Sequence, residues 1–377
     1  MITEKTEPPP VQARFPFYRG PDQAGARVVA PVEPVTFHSM PRRGLDDPAR
    51  YRPHPDLVAA VNTALLLGMP LLVTGEPGCG KTQLGEAVAH ALGLRHEKFE
   101  TKSTSQARDV FYAFDVVGRF HARDTGAAAD PRSYIEYMAL GRAILLAYPR
   151  AEIADLVPRG FDHPGLPSRS VVVIDEVDKA SRDFPNDILN EIDRMYFRVP
   201  ELLPLGIRGT PGADDPSRLI SGHLRPIVIF TSNSEKKLPD AFLRRCIFFH
   251  VPEPGRDELA EIVAARLDDK EFSAFIAPGR PFVAEAVDFF VFLRDPRRAL
   301  AKKPGVAELL NWLQALIGNG ADATRALAEQ EPVVLDTLSA LFKTSEDLAR
   351  ARPDPDGRSP GLLRQWAAAR DQANAGS

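Results

Sequence analysis

PLLVTGEPGCGKT, residues Pro70–Thr82, is the stretch on which the reading of this chain turns. Its first five residues are a short apolar run that reads as a buried strand. Gly75 to Thr82 then fits G-x-x-x-x-G-K-[ST], a phosphate-binding loop. The pattern arises by chance in about one chain in a hundred of this length at average residue usage, and the strand before it and the helix after it tighten the reading. Glycines let the backbone turn so that successive N–H groups face phosphate oxygens. Gly75, Glu76, Pro77, Gly78, Cys79 and Gly80 are therefore candidate cofactor-binding residues. A helix beginning near Lys81 adds the positive end of its dipole. Lys81 adds a point charge at the β- and γ-phosphates, and the Thr82 hydroxyl completes a Mg2+ shell.

The flanking pattern is that of an α/β domain. Upstream, Leu57, Val58, Val61, Leu65 and Leu66 recur at helical spacing and Gly68 stops them. Downstream, Lys81 to Leu92 reads as a helix ended by Gly93. Further strands are expected at Arg95–Glu100, Val171–Ile174, Ile227–Thr231 and Ile247–Val251. Val171–Ile174 shows no alternation, as expected of a parallel strand covered on both faces. Between the first two, Val110–Phe120 suggests a hairpin and Ser133–Tyr148 a helix. From about Pro254 only helical patterns remain, over Asp257–Leu267, Val283–Leu293, Val306–Ile317 and Ala323–Leu341. The expected organisation is a proline-rich arm over 1–50, an α/β core with a parallel sheet over 51–252, a helical domain over 253–350 and a flexible tail over 351–377.

Composition supports this frame. The 377 residues are 44% hydrophobic and 26% charged, which argues against a disordered chain, a rod or a fibre. With 47 basic and 51 acidic residues the formal charge is −4, which argues against non-specific nucleic-acid binding. Two distant cysteines, Cys79 and Cys246, make neither a metal cluster nor a disulfide framework and suit a reducing compartment. The eight histidines show no metal spacing, so no zinc is expected. Met1–Pro10 has no basic or apolar leader pattern, and no apolar run is long enough to span a bilayer. A cytoplasmic protein without membrane association is expected. Prolines from Pro8 to Pro53 crowd the arm and oppose regular structure there.

Three further clusters carry chemistry. Val171–Glu176 (VVVIDE) ends an apolar strand in two acids. Asp175 at the sheet edge can hold the Mg2+ shell, and Glu176 can polarise a water. A solvated strand end is the plainer reading of such a pair in isolation, but the phosphate loop upstream favours the functional one. Asn233 follows the strand Ile227–Thr231, where it suits the γ-phosphate or the attacking water, and equally a cap on the next helix. Arg244 and Arg245 precede the last strand. On spacing alone a surface ion-pair site is the better reading of them.

Taken in order, Pro70–Thr82, Val171–Asp178 (VVVIDEVD), Thr231–His250 (TSNSEKKLPDAFLRRCIFFH) and Lys303–Trp312 (KPGVAELLNW) resemble an AAA+ ATPase, more narrowly the MoxR-type branch related to magnesium-chelatase and dynein-like modules. The resemblance covers roughly residues 51–345. It implies an AAA+ P-loop NTPase core followed by an all-helical lid, with ATP and Mg2+ as cofactors. Gly75, Gly78, Gly80, Lys81 and Thr82 would be Walker A, Asp175 and Glu176 Walker B, and Asn233 sensor 1. Arg245 would be a trans-acting arginine finger, with Arg244 next in line, and Tyr51 would pack the adenine. The family's insert in its second helix would be Val110–Phe120. Where similar proteins carry a sensor 2 arginine, this chain reads Lys302-Lys303-Pro304, so Lys303 is the substitute, with Arg297 or Arg298 as alternatives. Trp312 and Trp366 read as packing residues, and Cys79 as a small loop residue. The implied assembly is a homo-oligomer, a hexameric ring, that remodels or activates a partner protein bearing a von Willebrand A-type domain. The competing expectations are the motor of a nucleic-acid machine, disfavoured by the acidic balance, and an ATP-gated switch with little turnover, disfavoured by Glu176.

Overall fold

The unbroken apolar runs become the centre of a parallel sheet. The computed structural model describes residues 46–124, 130–267, 272–277 and 279–375, so the arm expected over 1–50 lies almost wholly outside the described residues. Strands β1 (Leu71–Thr74), β2 (Arg95–Glu100), β5 (Ser170–Asp175), β6 (Ile227–Ser232) and β7 (Ile247–His250) form one sheet in the order β2-β5-β6-β1-β7. Every pairing is parallel. β1, β5 and β6 are buried at every residue, as central strands between two helical layers must be. β2 is an edge strand in which Phe99 alone is buried, and its charged residues blunt the edge.

Alternation along the central strands feeds two cores. Leu72, Val172, Ile174, Val228 and Phe230 belong to one apolar cluster; Leu71, Val73, Val171, Val173, Ile227 and Ile229 belong to the other. Helix α1 (Pro55–Leu67) starts at His54, whose ring accepts the Asp56 N–H, and ends at Gly68 in the left-handed region. α2 (Lys81–Leu92) ends the same way at Gly93. Gly85 of α2 is a close approach, because a Cβ there would lie 2.0 Å from Val173 Cγ2.

The segment between β2 and β5 departs from expectation. Strand β3 (Tyr112–Phe114) does not close a hairpin within 110–120. It pairs antiparallel with β4 (Ile135–Tyr137), and α3 (Val116–Asp124) follows it. The helix expected over 133–148 is therefore only α4 (Ala139–Leu146). Gly141 of α4 lies under the Phe111 carbonyl, 1.9 Å from where a Cβ would stand. Helices α5 (Phe184–Arg194), α6 (Pro211–Asp214) and α7 (Asp240–Leu243) complete this unit, which spans Pro48–Glu253.

The second unit runs from Pro254 and contains no strand among its described residues. Its helices are α8 (Arg256–Arg266), α9 (Ser273–Ile276), α10 (Pro281–Arg294), α11 (Val306–Gly318), α12 (Glu331–Thr337), α13 (Ser345–Ala351) and α14 (Gly361–Ala375). The long helix expected over 323–341 is broken, because Pro332 cannot continue a helix and instead starts α12. The expected flexible tail over 351–377 is also corrected. α14 buries Leu362, Leu363 and Trp366 in the helical core, where Phe289 contacts the rings of both Trp366 and Trp312. Trp312 donates its indole N–H to Thr337 Oγ1 at 3.1 Å. Trp366→Ala is expected to destabilise this unit by about 3–5 kcal/mol, the cost of emptying a buried aromatic site. Thermal unfolding checks it, and an unchanged midpoint would return α14 to the status of a loose tail. No helix among the described residues is long and apolar enough to cross a membrane.

Candidate nucleotide-binding site

The strand order puts the carboxyl ends of β1, β5 and β6 side by side, so the loops that leave them converge. The turn after β1 is Gly75–Gly80. Gly75, Gly78 and Gly80 take φ of 152°, 80° and 87°, conformations that side-chain-bearing residues resist. Space matters too. A Cβ on Gly80 would meet Tyr51 Cε2 at 3.2 Å, and one on Gly75 would meet Cys79 Sγ at 3.1 Å and Val251 at 3.2 Å. The Tyr51 ring thus lies against the loop. Lys81, 6% exposed, curls under the turn and donates to the Gly75 and Glu76 carbonyls, each at 2.8 Å.

Asp175, the last residue of β5, is the hub. Its carboxylate accepts the Thr82 hydroxyl at 2.8 Å and 3.0 Å and the Thr231 hydroxyl of β6. Lys98 Nζ of β2 stands 3.2 Å from its Oδ2. Glu176, one residue on, sits in the left-handed region with φ 55°, an uncommon conformation for a non-glycine residue. Its N–H donates to Thr231 Oγ1 at 2.9 Å. Its side chain is held from two directions, by Asn233 Nδ2 on Oε1 at 2.9 Å and by an ion pair between Lys179 and Oε2. Thr231 therefore ties the acid-bearing end of β5 to β6 through a hydroxyl that both donates and accepts.

The loop after β6 is fixed by Asp178, 2% exposed, which accepts the N–H groups of Asn233 at 3.4 Å and Glu235 at 2.9 Å. Ser234 follows in the left-handed region at φ 61°. Arg244 and Arg245 are exposed on the turn between α7 and β7, anchored by Phe242, which packs edge-on against Phe230 with centroids 5.0 Å apart. Lys303 is exposed just before α11 in the helical unit. In the same unit Arg297 is paired with Asp295, and the Arg298 guanidinium lies 3.9 Å from the centroid of the Phe292 ring.

Burial pushes the Cys79 thiol up from its ordinary value, outweighing the nearby Lys81 ammonium. Burial likewise pushes Cys246 up to about 12.

Lys81, Thr82, Asp175, Glu176 and Asn233 thus meet at one sheet edge, as their motifs require. Thr231, Asp178, Lys98 and Lys179 were given no role in the sequence reading. Thr231 and Asp178 stand inside the motif stretches quoted, where a small polar residue at a strand end and a second acid two residues after Glu176 were the available signals.

The family model for the AAA domain of the dynein-related subfamily matches residues 70–246. Among solved structures, two point-mutant forms of RuvB from Thermotoga maritima are similar at 14% and 15% identity. Each covers 84% of this chain and 80% of its own, both with a TM-score of 0.40. The Thermotoga maritima RuvB Holliday junction branch migration motor is similar at 15% identity over the same shares, with a TM-score of 0.37. At those scores the likeness carries no argument about this chain. No curated protein matches it.

Proposed function

We propose that the chain is a Mg2+-dependent ATPase, a reading supported by the match of residues 70–246 to the family model for the AAA domain of the dynein-related subfamily and by the AAA+ P-loop NTPase fold with its five-stranded parallel sheet. The observation that supports this most is the shared hub: one carboxylate, Asp175, bonds the loop hydroxyl of Thr82 while the next residue, Glu176, is held by Asn233. That is the separation of labour phosphoryl transfer needs, one acid for the metal shell and one for the water.

The residues fit the cofactor. Thr82 and Asp175 supply hard oxygen donors, which suit magnesium, a cation held through one or two protein oxygens together with phosphates. In the glycine cradle, with Tyr51 beside Gly80, a Cβ at Gly75 or Gly80 would crowd its neighbours at 3.1–3.2 Å and would be strained at a positive φ. The chemistry a bound magnesium ion supplies is neutralisation of charge across the β- and γ-phosphate oxygens. Lys81 gives up its two carbonyl partners for phosphate oxygens, a stronger charge-assisted contact. Glu176 takes the proton of the attacking water, and Asn233 orients the Glu176 carboxylate and the water between them.

Arg245 is proposed to stabilise the transition state in a neighbouring copy, with Arg244 second, and Lys303 to serve as the sensor of the helical unit. These roles make the working form a homo-oligomer, a hexameric ring on the MoxR-like resemblance. Its output is remodelling or activation of a partner protein in the cytoplasm, the resemblance naming a von Willebrand A-type domain as the partner.

Lys81→Ala tests the site itself. Losing the buried ammonium is expected to weaken ATP binding about tenfold or more, the cost of removing a hydrogen bond to a charged group. Binding of a fluorescent ATP analogue checks it. Parent-like affinity would remove the phosphate-loop assignment.

A further inference from the structure

Lys98 lies outside every motif, yet from the edge strand β2 its ammonium reaches the Asp175 carboxylate. It stands 3.2 Å from Asp175 Oδ2 and 2.8 Å from Glu100 Oε1. The sheet explains the geometry. β2 and β5 pair in register, Lys98 against Val173 and Glu100 against Asp175, so Lys98 and Glu100 project from the same face as the acid at the end of β5. The two carboxylates are unequal. The Asp175 side chain is 10% exposed, whereas that of Glu100 is 73% exposed. The ammonium thus has two adjoining seats, one inside the site and one in solvent.

We infer that Lys98 is a resident counter-ion of the metal position, and that Glu100 is the seat to which it withdraws when a divalent cation arrives. This rests on the nucleotide-site reading above. An ammonium and a divalent ion cannot share one carboxylate edge without strong repulsion at about 4 Å in a partly buried setting. Lys98 also spares a nearly buried carboxylate from standing without a cation. Metal entry is therefore an exchange of ions, and the stability of the Lys98–Glu100 pair sets how much divalent cation the exchange needs. Lys98 acts through Asp175 and Glu100, so it is a positioning residue.

Two substitutions should move the metal requirement in opposite directions. Lys98→Met keeps the aliphatic stem and removes the competitor. Glu100→Gln weakens the outer seat and leaves the ammonium on Asp175. Mn2+ would be titrated into each protein with a non-hydrolysable ATP analogue, bound Mn2+ being read by electron paramagnetic resonance. A parallel Mg2+ titration would read the fluorescence of a labelled analogue. The half-saturating metal concentration is expected to fall about threefold or more in Lys98→Met and to rise by a similar factor in Glu100→Gln, the scale of a partly exposed ion pair. Unchanged values in both variants, or shifts of the same sign, would overturn the inference. So would loss of metal-free analogue binding in Lys98→Met at an unchanged metal requirement, which would make Lys98 a phosphate ligand. Failure of the parent to bind the analogue at any metal concentration would overturn this inference and the nucleotide-site reading together, and is thereby told apart from the other outcomes.

Discussion

Glu176→Gln is expected to bind ATP as tightly as the parent while turnover falls by about 10²-fold or more, the usual loss when a positioned base is removed. The geometry makes the separation clean. The Glu176 carboxylate makes its hydrogen bond and ion pair with Asn233 and Lys179, and the Lys81 ammonium bonds the Gly75 and Glu76 carbonyls instead. A glutamine oxygen can still accept from Asn233 Nδ2, so the loop after β6 keeps its anchor, and Asp178 holds the same loop independently. What glutamine cannot do is take a proton. Calorimetric ATP binding beside phosphate release checks both halves. Retained turnover would move the base elsewhere, and lost binding would mean that Glu176 supports the cradle.

Arg245→Ala is the second large effect. Turnover is expected to fall by about 10³-fold or more, the worth of an arginine that stabilises the transferring phosphoryl, with ATP affinity near that of the parent. Arg244 and Arg245 occupy an exposed turn whose backbone is pinned by the buried Phe242. An exposed guanidinium on a rigid turn is suited to a partner's phosphate, because its planar fork needs little further ordering. If another copy completes each site, as proposed, specific activity should also rise with protein concentration. Parent-like turnover in Arg245→Ala would direct the same test to Arg244.

Much of the sheet could be read from the chain because central parallel strands are covered on both faces and so show unbroken apolar runs. Val171–Ile174 and Ile227–Thr231 were expected, and β5 and β6 extend them only by Ser170, Asp175 and Ser232, polar residues still within the ladder. The insert was not legible in this way. Tyr112–Phe114 and Ile135–Tyr137 are three residues each, too short to show a period, and they pair across a gap that local pattern cannot bridge. α14 was hidden by the polar, proline-containing approach to it, although Leu362, Leu363 and Trp366 carry a helical spacing that would have disclosed it. The site divides likewise. Residues with fixed spacing to the glycine turn or to a strand end were found. Lys98 and Thr231 meet Asp175, and Asp178 meets Asn233 and Glu235, through contacts that the folded sheet brings about, whereas Lys179 pairs with Glu176 only three residues away.

The proposed ring mechanism depends on each hydrolytic site joining Glu176 of one copy to Arg245 of the next. Mixing Arg245→Ala with Glu176→Gln tests it in one measurement of phosphate release. Each variant alone is expected to be nearly inactive, for a different reason. In an equimolar mixed assembly about a quarter of the interfaces place an intact Glu176 against an intact Arg245, so turnover should recover to about that fraction of the parent. A mixture as inactive as its two components, under conditions where the copies are shown to co-assemble, would contradict the account.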